Sequence, residues 1–224
     1  MHFIYKSIVG RFGMTAVPPY RVDVSNDSMT IHASRGDVAG PVRWVSLNSI
    51  KTPTQTIDRV IAWAADGNDA PHLVIERGSF EGGGGEGIGT MTLLPRADLV
   101  LDDAYLATYY GGAFNAAVDA CAKRPSWRRF TPPRLDAKAM TAHAIVYTFP
   151  ESKDETVFFE ARATEVARWW MARVDEASTA SAKTDAYDAR YARGIVDDSD
   201  VALIANMFGA EAASAMIDIT LGTE

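Results

Sequence analysis

The sequence predicts an α+β domain in which an antiparallel sheet is covered by helices. Segments rich in β-branched or alternating apolar residues lie in the middle of the chain, and segments with helical periodicity fill its last third. No repeat and no linker-like composition divides the chain. We therefore expect residues 1–224 to form a single domain.

Composition and charge narrow the classes of function. The chain is 47% hydrophobic and 23% charged, as is usual for globular proteins. Its net charge of −7 argues against nucleic acid, which requires clustered Lys and Arg. No apolar run approaches the ~20 residues of a membrane span, and the first residues resemble neither a signal peptide nor a transit peptide. With the single cysteine Cys121, these features predict a bacterial cytoplasmic protein. The sequence does not determine the oligomeric state, and a homodimer is compatible with it.

The elements of the first half are expected as follows. The first forty residues are polar and are interrupted by Pro18, Pro19 and Gly36, so no long element is expected there. Residues 42–50 suit a strand. Residues 52–67 predict a helix, because Thr52-Pro53-Thr54 is typical of a helix start and the apolar residues that follow recur at helical spacing. Residues 72–80 and 88–94 predict a hairpin around a Gly-rich turn.

The second half is expected to be mainly helical. Asp102-Asp103 is a capping signal for a helix reaching Lys123, and a basic segment with Trp127 and Phe130 follows. One more strand is expected over residues 139–149. The remaining helices are expected over residues 156–176, 182–193 and 201–221.

The glycine cluster resembles a dinucleotide-binding pattern only formally. Gly82, Gly84 and Gly87 have the spacing G-x-G-x-x-G, but that pattern must open a helix, and here a strand follows. We interpret it as a hairpin turn. The four histidines have no metal-ligand spacing to one another or to Cys121, so no metal site is expected.

Glu76 is the first candidate functional residue. It lies in the apolar segment 71–76, where strand geometry places His72, Val74 and Glu76 on one face. A carboxylate there is costly if it is buried without a partner. Three interpretations stay open. This face of the strand is exposed to solvent, Glu76 pairs with an arginine, or Glu76 is a half-buried proton donor.

Two further segments carry candidate residues. Asp197, Asp198 and Asp200 precede a helix and suit capping, although one of them could face a pocket and deliver protons. The basic segment from Lys123 to Arg134 contains Trp127, which is interpreted either as a core residue or as part of an exposed docking or ligand surface.

Three stretches resemble the red chlorophyll catabolite reductase family of the ferredoxin-dependent bilin reductases. The first is Ala70-Pro71-His72-Leu73-Val74-Ile75-Glu76. The second is the segment 98–106 (DLVLDDAYL) with Tyr109-Tyr110. The third is Asp197-Asp198-Ser199-Asp200 followed by the segment 207–211 (MFGAE). They occur in the family's order at nearly the family's spacing, over residues 42–217.

The resemblance implies an α/β/α sandwich with a central antiparallel sheet and a pocket between the sheet and the C-terminal helices. It implies that Glu76 and Asp198 are the catalytic acids and that no cofactor is bound. His72, which stands where asparagine is expected, then belongs to the substrate site together with Asp197, Asp200 and Thr141. Because it shares a strand face with Glu76, His72 is also expected to tune or replenish the proton of Glu76. Thr141 lies near the position thought to set product stereochemistry.

The resemblance further implies reduction of a linear tetrapyrrole by electrons from a [2Fe–2S] ferredoxin, delivered singly through a bilin radical. Ferredoxin is acidic, so a local basic patch must receive it. The candidate patch is Lys123, Arg124, Trp127, Arg128 and Arg129. The substrate stays open between biliverdin and a chlorophyll catabolite. The alternatives are a bilin carrier without catalysis and a nicotinamide-dependent reductase.

Overall fold

The computed structural model describes residues 1–81, 85–130, 145–177, 184–196 and 199–223. Within these ranges the chain has eight strands and seven helices. The strands are β1 Thr15–Val24, β2 Asp27–Arg35, β3 Val42–Lys51, β4 Gln55–Ala64, β5 His72–Phe80, β6 Glu86–Leu94, β7 Arg128–Arg129 and β8 Ile145–Pro150. The helices are α1 His2–Arg11, α2 Asp103–Tyr110, α3 Gly112–Ala122, α4 Lys153–Glu176, α5 Thr184–Val196, α6 Ser199–Phe208 and α7 Ala210–Leu221.

All eight strands form one antiparallel sheet in the order β1-β2-β3-β4-β5-β6-β8-β7. The first six are neighbours in sequence and in space, so the sheet is a meander until the long connection that separates β6 from β7 and β8. The central strands are buried on both sides, which requires a layer of helices on each face.

Helices cover both faces and enclose two separate cores. On the first face, helices α1 to α4 pack over side chains such as Leu73 and Ile75, with Phe159 and Trp170 at the centre. On the second face, helices α5 to α7 pack over Trp63 and its neighbours. Alternate residues of each strand therefore belong to different cores. The α+β class and the α/β/α sandwich are confirmed.

The N-terminal segment was expected to be irregular, and that expectation is wrong. It forms α1, β1 and β2. Ile4 and Ile8 recur four residues apart and are buried on the first face, which is the helical signal of α1. Pro18 and Pro19 lie within β1, an edge strand that makes room for them by a register shift between Val17 and Tyr20.

The helix expected over residues 52–67 is a strand, β4. Its residues after Arg59 are buried on both faces, so the alternation typical of a strand is lost and the apolar spacing imitates a helix. The apparent helix start is a hairpin turn, in which the Thr52 hydroxyl accepts hydrogen bonds from the backbone N–H groups of Thr54 and Gln55.

Two of the expected helices are each divided by a glycine. The helix expected from Asp102 to Lys123 begins as expected, because the Asp102 side chain accepts a hydrogen bond from the Tyr105 backbone, but it breaks at Gly112. The helix expected from Val201 to Leu221 breaks at Gly209. Both glycines have positive φ, 52° and 94°, a conformation that other residues rarely adopt.

The remaining expectations agree with the described residues. Strands β3, β5 and β6 lie where they were expected, and α4, capped by Ser152, begins at Lys153, three residues earlier than expected. Of the strand expected over 139–149, the described part is β8, and residues 139–144 lie outside the described ranges. No helix of the described ranges is long and apolar enough to cross a membrane.

Candidate functional site

A line of polar side chains crosses the middle of the second face. Strand register pairs Asn48 with Arg59, Arg59 with Glu76, and Glu76 with Thr90, so that four adjacent strands each contribute one residue. These four residues are called the polar row. Paired residues of an antiparallel sheet lie on the same face with their Cβ atoms ~5 Å apart. The polar row therefore forms one continuous surface beneath the C-terminal helices.

Glu76 forms an ion pair with Arg59 in the polar row. The Nε of Arg59 donates to Oε2 of Glu76, and the two side chains are only 19% and 17% exposed. Pairing with an arginine was one of the interpretations that the sequence left open for Glu76, and the structure shows it. The proton-donor role of Glu76 stays a prediction.

Asn48 is the least exposed member of the polar row at 5%. Its Nδ2 donates to Thr220 Oγ1 of α7 at 2.8 Å, whereas its Oδ1 has no hydrogen-bond partner among the described residues. Asn48 and Arg59 line a cavity of about 10 Å³ whose other walls are apolar. These walls are Ile50, Ile57, Ile204 and Met216. The cavity admits about one water-sized sphere and is far too small for a tetrapyrrole.

Two strand positions away from the polar row, a second row of paired residues contains two buried hydroxyl groups, those of Ser46 and Thr92. Ser46 pairs with Ile61, Ile61 with Val74, and Val74 with Thr92, so Ser46 and Thr92 lie on the second face. Neither hydroxyl has a hydrogen-bond partner among the described residues. A buried polar group without a partner costs about 1–3 kcal/mol. The second face thus retains groups that packing alone does not favour.

A buried cluster of charges and hydrogen bonds fixes α5 to the same face. Asp188 of α5 accepts from Arg96 through Nε at 3.0 Å and Nη2 at 2.8 Å, and Arg96 also donates to the carbonyl oxygens of Ala65 and Asn68. His72 Nε2 lies 2.8 Å from Asp188 Oδ1. We call Asp188, Arg96 and His72 the anchor cluster.

The anchor cluster sets the protonation of His72. The backbone N–H of Ala64 donates to Nδ1 of His72, so the ring proton lies on Nε2 and is donated to Asp188. Burial lowers the pKa of His72 to about 4, against the opposing effect of Asp188. Burial raises the pKa of Asp188, but the hydrogen bonds and charges of His72 and Arg96 outweigh this and hold it below its usual value.

His72 therefore has a different position from the one its expected roles require. Both ring nitrogens have protein partners, and the side chain is fully buried. It lies four strand positions from Glu76, a span of ~13 Å. A direct proton exchange between His72 and Glu76 does not fit this geometry, and His72 offers no ring nitrogen to a substrate.

The basic segment is only partly exposed. The expectation that Trp127 forms an exposed docking surface is wrong, because its indole is 6% exposed and stacks on Phe149. Glu155 holds this region together by accepting from Trp127 Nε1 at 2.6 Å, Arg124 Nε at 2.7 Å and Ser126 Oγ at 2.8 Å. Among the expected docking residues, those on the surface are Lys123, Arg128 and Arg129.

Three expected site residues lie outside the described ranges, namely Thr141, Asp197 and Asp198. Asp200 is the second residue of α6. The described ranges hold no group of three His, Cys, Asp or Glu side chains that could bind a metal ion.

Sequence reasoning missed Asn48, Arg59, Arg96 and Asp188. Arg59 was hidden because β4 was interpreted as a helix, in which Arg59 does not face Glu76. With β4 recognised as a strand, the hairpin register alone would have placed Arg59 beside Glu76. Asn48, Arg96 and Asp188 gave no sequence signal, because their partners lie between 28 and 172 residues away.

Comparisons with known proteins support the fold. No family model and no curated protein matches the sequence. Among solved structures, the chain is similar to phytochromobilin synthase from tomato, which was crystallised in complex with biliverdin. The TM-score is 0.78 and the sequence identity 12%, over 98% of this chain and 80% of the tomato chain. At this identity the similarity shows a shared fold.

Proposed function

We propose that this chain reduces an open-chain tetrapyrrole with electrons from reduced ferredoxin, as members of the red chlorophyll catabolite reductase family do. The observation that carries the proposal is the polar row beneath the C-terminal helices, with Glu76 at its centre. The fold that holds this row is similar to that of a protein crystallised with biliverdin. The substrate is a bilin of the biliverdin or chlorophyll-catabolite type.

The ligand itself accepts the electrons, so the chain needs no bound cofactor. Reduction of one double bond consumes two electrons and two protons. Two reduced ferredoxin molecules each supply one electron and become oxidised, and a bilin radical forms between the two transfers. Glu76 and Asp198 each give one proton and regain it from solvent. The sheet and helices orient the ligand and exclude water.

Glu76 must be a carboxylic acid at the moment of transfer, whereas its contact with Arg59 pairs it as a carboxylate. Proton transfer therefore requires Arg59 to release Glu76 when the substrate binds. An arginine carries five N–H donors and no acceptor, so an oxygen atom of the ligand can replace Glu76 as an acceptor for Arg59. Substrate binding and the release of Glu76 are then one event.

Ferredoxin would dock on the exposed cations of the basic segment. These are Lys123, Arg128 and Arg129, and Trp127 and Arg124 support them from within through Glu155. Exposed charges steer association and are screened by salt. The rate of ferredoxin-dependent reduction should fall as ionic strength rises, and a rate independent of salt would refute this docking site. We place the reaction in a bacterial cytoplasm.

A bilin carrier without catalysis is the second candidate. The ion pair of Glu76 with Arg59 favours it, because a paired carboxylate can serve the charge of a ligand rather than its reduction. The two candidates differ in whether the bound pigment changes chemically.

The deciding experiment is an anaerobic absorbance time course with biliverdin and, separately, with red chlorophyll catabolite. Each pigment is incubated with the protein and reduced ferredoxin, and NADPH without ferredoxin serves as the control donor. Loss of the long-wavelength band with one pigment supports the reductase and identifies the substrate type. A stable complex that never bleaches supports the carrier, and no spectral change with either pigment refutes both.

A further inference from the structure

Asn48 is a buried amide with one atom that the protein leaves unused. Its Nδ2 is bound to Thr220, but its Oδ1 has no partner within the described ranges and belongs to a residue that lines the cavity between β3, β4, α6 and α7. Buried carbonyl oxygens are nearly always hydrogen-bonded to protein or to ordered water in native proteins, so an unused one at a cavity points to a donor from outside the chain, either a water molecule or a ligand that displaces it.

The cavity walls indicate the chemistry of that ligand. Its polar lining residues are Asn48, whose Oδ1 is an unused acceptor, and the cation Arg59, which is paired with Asn48 across β3 and β4. The remaining walls are four aliphatic or thioether side chains. A matching ligand carries an N–H donor next to a carbonyl oxygen on an otherwise apolar ring. The terminal lactam rings of a linear tetrapyrrole have this arrangement, because each presents a ring N–H adjacent to its C=O.

We propose that Asn48 is a substrate-contacting residue that accepts the N–H of one terminal lactam ring and turns the adjacent carbonyl oxygen towards Arg59. This inference rests on the proposed function, since it assigns one end of the same substrate to one end of the polar row. It also gives Arg59 a contact with the ligand that can replace its contact with Glu76. The ring enters only when Ile204 of α6 and Met216 of α7 move outward.

The test compares Asn48→Leu with two matched variants by absorbance titration with biliverdin. Asn48→Leu keeps the size of the side chain and removes the acceptor, so it should weaken binding roughly tenfold. Ser46→Ala removes a buried hydroxyl that also lacks a partner in the described ranges but does not line the cavity, and it should bind normally. Thr220→Val breaks the bond between Asn48 and α7 and should also bind normally.

Chemical variants of the ligand identify the group that contacts Asn48. The bis-lactim ether of biliverdin has no lactam N–H at either terminal ring, so it should bind the wild-type protein and Asn48→Leu with equal, weak affinity. Biliverdin dimethyl ester retains the lactam rings and should show the same tenfold difference as biliverdin. If the difference disappears with the dimethyl ester, the subsite binds a carboxylate and the lactam assignment is overturned.

The remaining outcomes separate the inference from the function. Failure of the wild-type protein to bind biliverdin or the chlorophyll catabolite refutes the proposed function. Normal binding by Asn48→Leu, with binding by the wild type intact, refutes the inference alone. If Thr220→Val weakens binding as much as Asn48→Leu does, the effect comes from helix placement and the inference is wrong. Should Asn48→Leu fail to fold, Asn48→Ser, which keeps a hydroxyl towards Thr220, takes its place.

Discussion

The two faces of the sheet differ in how completely their buried side-chain amide and hydroxyl groups are hydrogen-bonded. On the first face, buried donors reach backbone acceptors, as when Trp170 Nε1 donates to Pro71 O at 2.7 Å and Tyr110 donates to Leu93 O at 2.7 Å. On the second face, the side-chain amide and hydroxyl groups of Asn48, Ser46 and Thr92 each keep an atom without a partner among the described residues. On the first face, the unsatisfied buried atoms among the described residues belong to charged side chains such as Arg77 and Glu151, and no buried amide or hydroxyl there keeps such an atom.

Charged residues show the same contrast. Each face has one glutamate paired with an arginine of the central sheet, Glu151 with Arg77 on the first face and Glu76 with Arg59 on the second. Arg77 also donates to Thr156 at the start of α4, which ties its pair to a helix cap. Glu76 and Arg59 lie in the polar row beside a cavity. The two ion pairs have the same chemistry and differ in their neighbours. The surroundings of an ion pair, rather than the pair itself, therefore indicate function.

The largest expected effect comes from neutralising the glutamate of each pair. Glu76→Gln should lower turnover about 10²–10⁴-fold while the affinity for the bilin changes little, because general acid catalysis contributes that much to the rate. Glu151→Gln is the control, because it also neutralises a glutamate that is paired with an arginine, but on the first face. It should leave turnover unchanged. The measurement is the rate of ferredoxin-dependent bleaching. Equal losses in both variants would show that the faces do not differ in function.

The next effect concerns the anchor cluster of the second face. Asp188→Asn leaves Arg96 buried without its counter-charge, so the free energy of unfolding should fall by about 3–5 kcal/mol. Asp175→Asn breaks the exposed pair with Arg11 and should cost under about 1 kcal/mol. Urea denaturation of both variants checks this. A loss below about 1 kcal/mol in Asp188→Asn would mean that α5 does not depend on the cluster.

Local sequence signals predicted parts of both faces. The α4 helix, β5 and the alternation of Leu73 and Ile75 against Val74 and Glu76 follow from periodicity and capping, which act over a few residues. The helix expected in place of β4 failed for a physical reason. Burial on both faces removes the alternation by which a strand is recognised.

The site depended on contacts that no local signal carries. Glu76 was recognisable because a carboxylate interrupts an apolar strand. Asn48 could be recognised only in the structure, where its Nδ2 donates to Thr220, 172 residues away. Trp127 was misjudged because its neighbours in sequence are cations, whereas its partner in space is Glu155. Sequence thus identified the chemically odd residue and could not identify its neighbours.

A smaller effect is expected in the pH dependence of stability. The pKa of His72 is about 4 in the folded protein, below its ordinary value of 6.5, so the unfolded chain binds more protons between these values. The contribution of neutral, buried His72 to the free energy of unfolding is therefore complete above pH 6.5 and is lost as the pH falls towards 4. The loss is on the order of 3 kcal/mol. His72→Asn should have a flatter profile in urea denaturation between pH 7.5 and 4.5. The hydrogen bonds and charges of His72 and Arg96 hold the pKa of Asp188 below its usual value, so the profile is assigned to His72. Parallel profiles for the two proteins would contradict this account.

The smallest expected effect compares the same substitution on the two faces. Trp170 on the first face and Trp63 on the second are both fully buried and donate to the carbonyl oxygens of Pro71 and Thr220. Trp→Phe at either position leaves one buried carbonyl without its donor, so each should cost about 1–3 kcal/mol in urea denaturation. Only Trp63→Phe should shift the absorbance of bound biliverdin, because Trp63 and Asn48 both hold α7 through Thr220. A shift of equal size in Trp170→Phe would mean that the two cores respond to the ligand as one, and that the second face is not a separate site.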